Sequence, residues 1–206
     1  MNFDQMAKNW DTKEREERAI LLADKIKAVI YDSPKIQAME IGCGTGLLSL
    51  NLRDSYKKIF CVDESEEMLR VLQNKIQKEH IEGIYPCTTA FLNNYNWYGQ
   101  FDIIFSSMAF HHITQLQTEI NLLKLFLKKN GLMIIIDLDQ DDGSFHKKEE
   151  DFRGHNGFNR EHFVNMFESS GFEFMSMETV YHGEKVTDNQ TVLYTLFMCV
   201  MKNSKQ

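Results

Sequence analysis

An α/β fold with a doubly wound, seven-stranded and mostly parallel sheet is predicted by three features of the sequence. Apolar runs of strand length alternate with amphipathic stretches of helical period. The run LMIIIDL (132–138) is apolar without alternation, as in a strand buried on both faces. Two extended segments close the chain with no helix between them, so they pair as an antiparallel hairpin.

Taken in order, residues 12–30 place Ala19, Leu22, Ala23, Ile26, Val29 and Ile30 on one helical stripe. Pro34 breaks the chain before a strand in KIQAMEI (35–41). Glycines follow, then a helix in LLSLNLRD (47–54) and a strand in KIFCVD (58–63). SEEMLRVLQNKIQKE (65–79) reads as a helix capped by Ser65, with Met68, Leu72 and Ile76 on one face. IYPC (84–87) and FDIIFSS (101–107) read as strands. A helix is expected over 114–131, from the capping-box spacing of Thr114 and Gln117 to Gly131 at its carboxyl end. Residues 139–157 read as a loop, and 159–171 as a helix with Asn159 as its cap. The hairpin strands are FEFMSMETV (172–180) and TVLYTLFMCVM (191–201). The whole is expected to be one domain over 1–206, with a helical lid at 1–30 and a core at 35–206.

Bulk properties narrow the class. The 206 residues are 43% hydrophobic and 26% charged, ordinary for a globular protein. A net charge of −7 makes nucleic acid a poor partner. Cys43, Cys61, Cys87 and Cys199 form no CxxC pair and fit no zinc template, so reduced thiols and a cytoplasmic location are expected. The N-terminus lacks the apolar core of a secretory signal, and no apolar run reaches the about 18 residues of a membrane span. The run KEREER (13–18) reads as a solvated helix face with an i,i+4 pair between Glu14 and Arg18.

The chemistry is concentrated in MEIGCGTGLLSL (39–50). Gly42, Gly44 and Gly46 fall between a strand and a helix, where backbone must turn tightly and approach a ligand. Asp63 ends the next strand, 21 residues beyond Gly42, which suits an acid that accepts hydrogen bonds from a ribose diol. A dinucleotide site wants glycine where Leu47 stands, and Glu40 just before the loop is awkward beside a pyrophosphate. Glu40 is useful beside a cationic amine. The cofactor that unites a ribose with a cationic amino acid is S-adenosylmethionine.

MEIGCGTG, CVDESEEML and FDIIFSSMAFHHI together resemble the successive motifs of class I S-adenosylmethionine-dependent methyltransferases, in the small-molecule branch that includes quinone-biosynthesis enzymes. The resemblance is strong over 36–138 and looser to the terminal hairpin; AKNWDTKEREERA resembles the lid of that family. It implies that Glu40 and the loop of Gly42, Cys43, Gly44 and Gly46 hold the methionyl part. It implies that Asp63 takes the ribose hydroxyls and that Glu64 and Met68 flank the adenine. Thr89 and Ala90 fall beside the adenine amine, where Thr89 replaces the usual acid. Ser106, Ser107 and Met108 fall where the donated methyl meets the substrate.

His111 and His112 follow the fourth strand, and His111 is the candidate general base; the alternative is an imidazole that packs against the next helix. Trp10 and Phe3 suit a lid that excludes water, or a terminal helix packed on the sheet. His112, Trp10 and, in FRGHNGFNREHF (152–163), His155 are candidate substrate contacts. His146, His155 and the acids of DQDD match no metal template and read as surface groups, so no metal is expected. The expected activity is methyl transfer to a small molecule. An NAD-dependent oxidoreductase and a non-enzymatic nucleoside-binding module are the alternatives.

Overall fold

The computed structural model describes residues 3–30, 37–149, 152–187 and 190–204. Seven strands form one sheet in the order β3-β2-β1-β4-β5-β7-β6. They are β1 (Gln37–Ile41), β2 (Lys58–Asp63), β3 (Ile84–Thr88), β4 (Phe101–Ser107), β5 (Leu127–Leu138), β6 (Glu173–Thr187) and β7 (Gln190–Lys202). The first five are mutually parallel, and β7 runs antiparallel to both β5 and β6. The chain order reverses beside β1, between β1 and β4, which is where such sheets open a ligand crevice.

Helices cover both faces because successive strand residues face opposite sides. Ala38, Ile103, Phe105, Ile134 and Ile136 pack toward α2 (Lys13–Val29), α3 (Leu47–Leu52) and α4 (Glu66–Glu79). Their neighbours Met39, Ile104, Met133 and Ile135 pack toward α5 (Leu116–Phe126) and α6 (Arg160–Ser169). Three helix starts are capped as their sequences dictate: Thr12, Ser65 and Asn159 side chains accept from the backbone N–H groups of Arg15, Met68 and His162. Ahead of them, a short α1 (Phe3–Met6) and a 3₁₀ turn (Ala7–Asn9) lead into α2.

The expected helix over 114–131 is the main correction. It begins only at Leu116, behind Gln115, with no side-chain cap. Gln117 instead donates to Met166 O at 3.2 Å and Ser170 Oγ at 2.6 Å, tying α5 to α6. The helix ends at Phe126 because the next five residues find sheet and loop partners. Leu127 is fully buried opposite Phe101. The Asn203 side-chain amide donates to the carbonyls of Leu127 and Lys128. Asn130, at φ 62°, donates its N–H to Asn203 O at 2.8 Å. The hairpin strands are also longer than expected, so Glu184, Lys185 and Val186, paired with β7 beyond its register with β5, reach past the carboxyl end of β5. Pro34 and the first residues of the expected first strand lie outside the described residues.

Candidate active site

A cavity of about 920 Å³ opens at the carboxyl ends of β1 to β5. Its inner half is made by the loops after β1, β2 and β3: Glu40, Gly42 to Thr45, Asp63, Glu64, Met68, Thr89 and Leu92. Among the described residues no lysine or arginine lines this half. Three acids without a base suit a ribose, an ammonium and a sulfonium, and they repel a pyrophosphate.

Asp63 organises the glycine loop. Its Oδ2 accepts from Gly44 N at 2.7 Å and its Oδ1 from Ser65 N at 2.9 Å. Burial raises its pKa while these bonds oppose the rise. Glu40 is 2% exposed, with Ser49 Oγ donating to its Oε2. Burial pushes the Glu40 carboxyl up to about 8. A cation beside it would draw it back to the charged form.

The glycines divide their work. At Gly42, φ 69°, an added Cβ would sit 2.3 Å from Ala109 Cβ, so the loops after β1 and β4 interlock there. At Gly46, φ 79°, a Cβ would sit 2.4 Å from Leu72, so this glycine lets α3 close on α4. Gly46 is off the cavity wall, which corrects its expected cofactor contact. Ser106 is off the wall as well: fully buried, its hydroxyl donates to Ile41 O at 2.7 Å and staples β4 to β1. Ala90 also lies off the wall, on an exposed 3₁₀ turn. Cys43, Ser107 and Met108 are on it, and Met108 holds a left-handed φ of 56° that costs about 1–3 kcal/mol.

The outer half is drawn from distant stretches. His111 is 2% exposed, and its Nδ1 lies 2.6 Å from Asp137 Oδ1 on β5, a carboxyl with no exposure at all. A buried carboxylate at Nδ1 holds the proton there and leaves Nε2 as the acceptor. His112 is brought down to about 4, first by burial and then by His111 and His146 beside it, so it stays neutral. His146, expected at the surface, is buried with its ring centre 5.0 Å from that of His111. Its loop folds inward because Phe152 stacks flat on the ring at 3.7 Å.

His155 does not reach the cavity. Its N–H donates to His111 O at 2.7 Å and its Nε2 lies 3.0 Å from Ile113 O, so it braces the segment that carries His111. The expected solvated face of α2 also needs correction. Arg15 and Arg18 turn to the cavity, Arg15 stacked on Trp10 at 4.0 Å and Arg18 donating to Tyr194 Oη at 2.9 Å. The Glu14–Arg18 pair is present at 3.7 Å.

The N-terminal segment closes one side. Phe3 meets the edges of Trp10 and His112, at 5.8 and 5.2 Å between ring centres. Asp4 accepts from Ser65 Oγ, and Asp11 binds both Thr45 Oγ1 and, at 2.6 Å, Lys75. Asp137, His146, Glu149, Lys185 and Tyr194 were not identified as site residues from the sequence. For Asp137 the one available signal was an acid near the end of an otherwise apolar strand.

A family model described as a methyltransferase domain matches residues 32–193. The chain belongs to that family. The domain is 31% identical over 172 residues to an uncharacterised methyltransferase of Schizosaccharomyces pombe, covering 75% of this chain and 61% of that one. It is 31% identical over 137 residues to malonyl-[acyl-carrier protein] O-methyltransferase 2 of Ilyobacter polytropus, covering 65% and 51%. The chain thus spans about half to three fifths of these relatives. Among solved structures, an S-adenosylmethionine-dependent methyltransferase of Aquifex aeolicus superposes with a TM-score of 0.70 at 16% identity, covering 96% of this chain and 97% of the other. S-adenosylmethionine is the cofactor of the family, and the acid-lined, base-free inner half of the cavity fits it.

Proposed function

We propose that the domain transfers the methyl group of S-adenosylmethionine to a small molecule held in the outer half of the cavity, with His111 accepting the proton of the acceptor. The observation that carries this reading is one continuous cavity joining an acid-lined inner half to an imidazole backed by a buried carboxylate. The name of a further relative, a ubiquinone biosynthesis O-methyltransferase of Bradyrhizobium diazoefficiens that is 27% identical over 110 residues, supports a small acceptor.

When bound, the cofactor supplies an electrophilic methyl on a sulfonium. The chain has to orient the nucleophile, exclude water and receive a proton. Glu40 and Asp63 would hold the amine and the ribose, and the backbone of Gly42 to Gly44 lets both come close. Orientation of this kind supplies roughly 7–11 kcal/mol in favourable cases. His111 Nε2 takes the proton of the acceptor while Asp137 stabilises the imidazolium that results. Phe3 and Trp10 close the site against water.

Calorimetry with S-adenosylmethionine, S-adenosylhomocysteine and NADH tests the cofactor, and NADH should give no heat. Incubation of a small-molecule extract with methyl-deuterated cofactor should then place the label on an acceptor, read by mass spectrometry. Heat from NADH alone would overturn the proposal in favour of an oxidoreductase. Cofactor binding without any labelled product would favour a regulatory module.

A further inference from the structure

His111 is well placed to take a proton and badly placed to lose it. It is 2% exposed, its Nδ1 is committed to the fully buried Asp137, and Phe3 and Trp10 line the same cavity and close it against water. With cofactor and acceptor in the cavity, its Nε2 is shut off from bulk water. A base that works in repeated cycles needs an exit for the proton it has accepted. A second imidazole stands beside it. His146 is 5% exposed and lines the cavity, and neither of its ring nitrogens makes a hydrogen bond among the described residues. Buried polar groups in native structures are satisfied by protein, water or ligand. The ring is not free to turn toward another partner, because Phe152 stacks on it with a 7° tilt and Phe145 meets it edge-on at 4.9 Å. Its ring centre lies 5.0 Å from that of His111, a gap closed by one hydrogen bond or one bridging water.

Behind His146 the chain supplies what an imidazolium needs. Nδ1 faces Glu149 Oε1 at 3.1 Å, and Lys185 Nζ lies 3.3 Å from the same oxygen. Burial raises the Glu149 carboxyl, but His146 and Lys185 outweigh it and hold the group below its ordinary value, so it stays ionised. Lys185 also offsets part of that charge, which keeps the pair from trapping a proton. Side-chain exposure rises from 2% at His111 to 4% at His146, 9% at Glu149 and 31% at Lys185, so the series runs outward from the buried base. His112 is nearer to His111, at 4.2 Å between ring centres, but burial and its two imidazole neighbours keep it neutral. Resting on the methyl-transfer reading with His111 as the base, we propose that His146 relieves His111 of its proton after each transfer. The N–H bond at His111 Nε2 breaks and leaves its electron pair on that nitrogen; the lone pair of His146 Nε2 forms the new N–H bond. One positive charge moves outward to face Glu149, and the proton passes to water as the product leaves.

The test follows the proton and needs no acceptor. On protein saturated with S-adenosylhomocysteine, carbon-13 relaxation dispersion at His111 Cε1 reads how fast that ring gains and loses a proton. Each variant is measured in dilute buffer at the midpoint of its own His111 titration. His146→Phe keeps the ring stacking and should slow this exchange at least about tenfold. Glu149→Gln leaves the imidazole in place without the charge behind it and should slow the exchange about threefold. A merely structural role would move the rate the other way, since a loosened cavity lets water reach His111. Both variants should keep the wild-type affinity for S-adenosylhomocysteine by calorimetry, and its melting temperature. Exchange as fast as wild type or faster in His146→Phe overturns the inference. If that variant does not fold, Glu149→Gln decides on the same terms. Failure of the wild-type chain to bind S-adenosylhomocysteine overturns the methyl-transfer reading instead, so the two failures are told apart.

Discussion

Glu40 shows what burial makes of a carboxyl that its strand places under a cofactor loop. Its ordinary value is 4.5, and in the folded chain it stands near 8. Between those values the folded chain holds a proton that the unfolded chain has released. The group's contribution to stability is therefore full below about pH 4.5 and is lost as pH rises through 8. A bound ammonium reverses the preference, so cofactor binding near pH 7 should release close to one proton. Calorimetry in two buffers of different ionisation heat should show that release in wild type and none in Glu40→Gln; equal release in both would refute the contact. Asp63→Asn, which weakens a charge-assisted acceptor, should cost about tenfold in cofactor affinity by the same method. Asp137→Asn removes the charge behind His111 and should lower kcat about 100-fold with little change in KM, once an acceptor is in hand. Glu40 was legible in the sequence because it stands two residues before Gly42, and Asp63 because it ends the next strand 21 residues beyond Gly42, the spacing of a ribose-binding acid. Asp137 was not, because its partner is 26 residues away and only the parallel register of β4 and β5 brings them together.

Among the elements, α4 shows how a cap does two jobs. Ser65 Oγ accepts from Met68 N at 3.2 Å and donates to Asp4 Oδ1 at 2.5 Å. Ser65→Ala should lower stability by about 1 kcal/mol, read from thermal melts. It should also speed amide exchange in α1 and the turn after it; unchanged exchange there would show that the segment is held by other contacts. The starts of α4 and α6 were readable because capping is local, settled within three residues. The end of α5 was not, since the partners that stop it belong to Asn203 at the far end of β7. A glycine at 131 looked like a helix stop, but the helix had already given way to sheet pairing five residues earlier.

Over the whole molecule the two halves of the cavity differ in how the chain assembles them. The donor half comes from residues 40–92, one run of consecutive βα units, and its chemistry was written in a short stretch. The acceptor half needs α2, the loops after β4 and β5, and both strands of the hairpin, so no local pattern announces it. The halves meet where the missing side chain of Gly42 leaves room for Ala109 Cβ. Gly42→Ala should destabilise the chain, and Ala109→Gly should restore part of the loss, with a melting-temperature cycle of the two single variants and the double variant reporting the coupling. The residue is left partly strained even in the pair, because φ 69° remains costly for alanine. One methyl-sized space is thus shared property between donor and acceptor segments. Loop transplantation aimed at a new acceptor has to respect that tenancy: any graft of the segment after β4 must keep the backbone at 109 no closer to Gly42 than it now stands, or it presses on the cofactor loop as it changes the substrate.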